Sequence, residues 1–148
     1  MPNMTAKDLY DRDFFEWTRC NAALLRAGRF TEADIQHIAE EIEDMGKGQQ
    51  KELGSRLRVL VIHLLKWKDQ PRHRSPSWEE TIDNQRAEIE LLLDYMPSLR
   101  RALPEAVQKI DPKAVHWAAK ESGLAGTCFP ETCPFTLEQL LDPTFLPE

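Results

Sequence analysis

From Ile35 to Trp67 the apolar side chains recur at steps of three and four residues: Ile35, Ile38, Ile42, Met45, then Leu53, Leu57, Leu60, Leu64 and Trp67, with Gln49 standing in the gap. Such spacing keeps to one face only on an α-helix. Gly46, Gly48 and Gly54 fall inside the run, and each costs about 1 kcal/mol relative to alanine in a helix interior. The phase continues across them with one additional four-residue step. The run therefore predicts a single helix of about 35 residues, roughly 50 Å long, with the glycines as the place for a kink or for close approach of a neighbouring helix. Pro71 ends it.

The rest of the chain reads as helix as well. Tyr10, Phe14, Trp17, Asn21 and Leu24 share one face, with Asp8 at the electropositive start and Gly28 placed to close the helix in the left-handed conformation. Thr31 and Asp34 resemble a capping box with a shortened acid at the head of the long helix, and Ser77 with Glu80 forms a full one. The helix after Ser77 carries Ile82, Gln85, Ile89, Leu92 and Met96 in three-four alternation. Pro97 punctuates, Pro104 restarts the segment Leu99 to Ile110, and Asp111 with Pro112 supplies N-cap and first turn of a helix reaching Ser122. Residues 123–134 read as loop, Thr136 with Gln139 caps a short helix from Leu137 to Leu141, and the tail is extended. The expected fold is all-α: an up-and-down helical bundle with one long central helix and a loop-rich C-terminal cap. A length of 148 residues predicts one domain, with its core over about residues 8–122.

A net charge of −6 argues against a general binder of nucleic acid or anionic membrane, because neutralising phosphate needs a basic surface. The first residues lack the basic and apolar segments of a signal peptide, and nothing approaches the roughly 18 apolar residues of a membrane span. Three cysteines, an odd number, fit reduced cytoplasmic thiols better than a disulfide framework.

Six segments in order give the chain a recognisable pattern: Asp13-Phe-Phe-Glu-Trp17-Thr, Ala39-Glu-Glu-Ile-Glu43, His63-Leu-Leu-Lys-Trp67, Ser77-Trp78, Pro97-Ser-Leu99 and Cys133-Pro-Phe-Thr-Leu-Glu-Gln-Leu-Leu141. Together they resemble the bacterial family catalogued as domain of unknown function number 29, over nearly the whole length from Tyr10 to Pro147. What the resemblance implies is an all-α, bundle-like fold; it implies no activity. Cys128 and His37 depart from the pattern, which counts against either as a ligand common to the family.

Candidate chemistry is sparse. Phosphate loops, dinucleotide fingerprints and Ser–His–Asp motifs are absent. With a short connection the long helix and its successor run antiparallel, which places His63 near Gln85 and Arg86 and sets Trp67 and Trp78 on either side of the turn. His63 and Arg86 read as polar residues at the core boundary, and the tryptophans as core corners. The run Glu40, Glu41, Glu43 with Asp44 contains pairs at helical spacing, with His37 one turn before Glu41 and Asp13 expected opposite. Bundle metal sites are built from such side chains, but the paired Glu-x-x-His segments of a di-metal centre are missing, and a solvated acidic face is the favoured reading. Cys128 and Cys133 supply at most half a zinc site; Cys133 reads as a small buried hydrophobe. No cofactor is expected.

Charge is distributed unevenly along the long helix. Residues 32–53 hold seven acids against Lys47 and Lys51, and residues 56–74 hold six bases against Asp69. The polarity suits the helix dipole. It would also let two copies pair antiparallel, basic end to acidic end. The functional expectation is a non-enzymatic module that self-associates or binds a protein partner, using this helix and the corner Lys66, Trp67, Arg72, His73, Arg74 and Trp78. Two alternatives stay open: a metal-dependent bundle enzyme using Asp13, His37, Glu40, Glu41 or Glu43, and phosphate or nucleic-acid contact through Lys66, Lys68, Arg72, His73 and Arg74.

Overall fold

The structure, a computed structural model, describes residues 4–110 and 133–148. The helix expected from Asp111 to Ser122, most of the following loop, His116 and Cys128 lie outside the described residues. Within them are six α-helices and two short 3-10 segments: α1 (Ala6–Arg12), α2 (Phe14–Arg26), α3 (Ile35–Asp69), α4 (Pro76–Tyr95), α5 (Leu103–Gln108) and α6 (Leu137–Leu141), with the 3-10 turns Pro71–His73 and Pro97–Ala102. No strand occurs among the described residues, and no helix there is long and apolar enough to cross a membrane. The chain divides into two compact units, Met1–Gly48 and Gln49–Glu148.

The first unit corrects one expectation. The face running from Tyr10 to Leu24 is not one helix but two, because Asp13 leaves the helical region (φ −151°, ψ 84°). Its N–H closes α1 onto Leu9 and its carboxylate accepts from Glu16 N–H at 3.0 Å to open α2. A short polar side chain at such a junction competes with the helical ladder and serves as the next cap. Thr5, rather than Asp8, is the first cap, and Asp8 completes its capping box. At the far end of α2, Gly28 adopts φ +73°. Its N–H bonds Leu25 O and Arg29 N–H bonds Leu24 O, the paired hydrogen bonds of a Schellman motif that favours glycine.

Helix α3 is continuous through Gly46 and Gly48. A Cβ added at either would meet nothing within 4 Å, so among the described residues no neighbouring helix exploits the small residues. The helix begins at Ile35, with Asp34 as its cap instead of Thr31: His37 N–H bonds Asp34 Oδ1 at 3.4 Å. Helix α4 is capped two residues earlier than expected. Ser75 accepts from Trp78 N–H, and Pro76 takes the first helical position, where a missing N–H costs nothing. The Thr136–Gln139 capping box forms as read.

The core of the second unit joins Leu53, Leu57, Leu60, Val61, Leu64 and Leu65 of α3 to Ile82, Ile89 and Leu93 of α4, closed by Leu99, Leu103, Phe135 and Leu140. Arg56 of α3 reaches Gln85 and Glu88, and Lys66 lies over Trp78. Those pairs fix an antiparallel register in which Tyr95, the last residue of α4, falls opposite the turn of α3 that holds Gln49.

Candidate functional site

Three places carry the side chains that the sequence singles out. The first is a polar cluster in the N-terminal unit. Asp34 is 1% exposed. Its Oδ2 accepts from Trp17 Nε1–H at 3.0 Å and from the His37 ring nitrogen Nδ1 at 2.7 Å, while its own N–H donates to Asn21 Oδ1 at 2.8 Å. Asn21 returns its amide N–H to Trp17 O. Burial works to raise the Asp34 carboxyl pKa, but hydrogen bonds from Trp17 and His37 prevail and hold it below the usual value. A carboxylate can only accept, so His37 carries its proton on Nδ1 when neutral, leaving Nε2 with the lone pair. The Tyr10 ring stacks on the imidazole, centroids 3.8 Å apart, and meets Trp17 edge-on.

Tyr10 also donates its hydroxyl to Glu41 Oε1 at 2.6 Å. That hydrogen bond, reinforced by burial and by the charges of Glu41, Glu40 and Asp44, pushes the phenol pKa up to about 12. Tyr10, not Asp13, therefore meets the acidic run; Asp13 is exposed and committed to capping α2. Glu40 and Glu43 are exposed, and among the described residues no three His, Cys, Asp or Glu side chains are grouped as ion ligands. A spectrophotometric titration checks the Tyr10–Glu41 pair: one of the two tyrosines ionises near 12, and Glu41→Ala returns it towards 10.0. Because the folded-state pKa is raised, the pair stabilises the fold below pH 10 and that contribution fades between pH 10 and about 12.

The second place is the corner between α3 and α4. Arg74 Nε–H donates to Trp67 O at 2.7 Å, its guanidinium lies 5.0 Å from the Trp67 ring centroid, and a further N–H reaches Pro147 O at 3.5 Å. It satisfies a carbonyl in the last turn of α3 that the helix itself leaves open. Lys66 sits 5.8 Å from the Trp78 ring centroid. Both tryptophans are half-buried, and Arg72 and His73 are exposed on the 3-10 turn. Gln70 is buried with neither amide atom hydrogen-bonded.

His63 and Arg86, expected side by side, have separate partners. The Nδ1–H of His63 bonds Val59 O at 2.9 Å within α3. Burial depresses its pKa against the support of that bond, and Lys66 adds to the depression. Arg86 is 5% exposed and donates to three main-chain oxygens: Leu140 O at 2.9 Å, Phe145 O at 2.7 Å and Gln139 O at 3.1 Å. It clamps α6 and the tail onto α4. Cys133 is a free thiol whose pKa burial raises, in spite of its contact with Phe135 O; such a thiol is poorly nucleophilic.

The third place is apolar, and it lies where the long helix outruns its shorter successor, as the length of the helix implies. Ile35, Ile42 and Met45 are 50%, 62% and 70% exposed, although they belong to the stripe whose continuation, Leu53 to Leu64, is wholly buried. The signal was present in the sequence as helix length: α4 has 20 residues against the 35 of α3, so it covers only part of the stripe.

No curated protein and no solved structure matches the chain. The family model described as "Domain of unknown function DUF29" matches residues 9–146, and with that coverage the chain belongs to this family.

Proposed function

We propose that the protein is a non-enzymatic helical interaction module whose docking face is the first half of α3. The observation that carries this reading is the exposure of Ile35, Ile42 and Met45 in phase with a stripe buried elsewhere. Exposed apolar side chains in register on a helix present the anchors that a second amphipathic helix takes up. The polar groups support the same reading. Asp34, His37, Tyr10 and Glu41 bond one another, and Arg74 and Arg86 are occupied with main-chain oxygens, which leaves no assembled nucleophile, base and electrophile among the described residues. A photo-crosslinking residue at position 42 is expected to give adducts to protein in cells, whereas the same group at position 44, on another side of the helix, gives none. Absence of any adduct at 42 would overturn the proposal.

The opposite charges of the two halves of α3 favour a second reading, in which acidic and basic ends of different chains pair. Arg72→Glu separates the two. It abolishes association if charge pairing drives it and leaves docking on the apolar face unchanged. Arg74 is unsuited to that test, since its reversal would break the bond to Trp67 O.

A further inference from the structure

We draw no further inference here: the strongest candidate, the exposed apolar face of Ile35, Ile42 and Met45 on the first half of α3, carries none, because nothing in the structure shows what covers it.

Discussion

Arg86→Ala is expected to destabilise the second unit by about 3–5 kcal/mol. The arginine is 5% exposed and its guanidinium holds three carbonyl oxygens from two separate stretches, α6 and the tail. Removing it leaves those acceptors without partners in a desolvated place, at a cost of about 1–3 kcal/mol for each group that water cannot reach. It also opens a cavity beside Leu140, which is fully buried. Burial lowers the arginine's pKa, with Asp142 and Asp83 opposing, yet a guanidinium stays charged throughout the ordinary pH range, so the clamp is insensitive to pH. Arg86→Lys should recover little, because one ammonium on a flexible stem cannot reproduce a planar fork directed at three oxygens. The check is denaturant unfolding combined with hydrogen exchange: amides of α6 and the last residues of α4 should lose protection first. Protection in α6 equal to that of the unaltered protein would show that the three bonds contribute little.

Asp34→Ala should cost the first unit about 2–4 kcal/mol. About 1 kcal/mol is the lost cap of α3; the remainder comes from Trp17, whose indole N–H is left buried without an acceptor. Asp34→Asn keeps an oxygen for both jobs and should be the milder change. The distinguishing measurement is where exchange rises. The alanine variant should loosen α2 and the first turns of α3, while amides around Leu57 to Leu64, whose core lies within the second unit, keep their protection. Uniform loosening along the whole of α3 would contradict that assignment. As the Asp34 pKa is depressed in the folded state, its contribution is present above the ordinary carboxylate pKa of 3.8 and fades as pH falls below it.

The long helix was legible because periodicity is a local property: ten turns of repeated three-four steps outweigh two exposed glycines. The helix ends were less legible, for physical reasons that differ by site. At Ser75 and Ser77 two residues of equal capping chemistry compete, and Pro76 decides between them by fitting only the first helical position. Asp13 was legible as an acid but not as a break, since Phe14 and Trp17 continue the apolar phase across it. The Asp34 cluster could not be read at all. Its partners Trp17 and Asn21 stand 17 and 13 residues away, and nothing in the spacing of a helical sequence says which buried carboxylate meets which indole. Arg86 was legible as a polar residue near the core. Its partners were not, because backbone oxygens leave no trace in the sequence.

A clamp made to side chains constrains the residues it holds, and both partners must change together. Arg86 instead holds the path of the chain: Gln139, Leu140 and Phe145 present oxygens that any residue at those positions would present. Sequence drift in the C-terminal segment is therefore cheap so far as this clamp is concerned, provided the number of residues between α6 and the tail stays fixed. The loss of a single residue there would displace Phe145 O, while Leu140 O and Gln139 O kept their places.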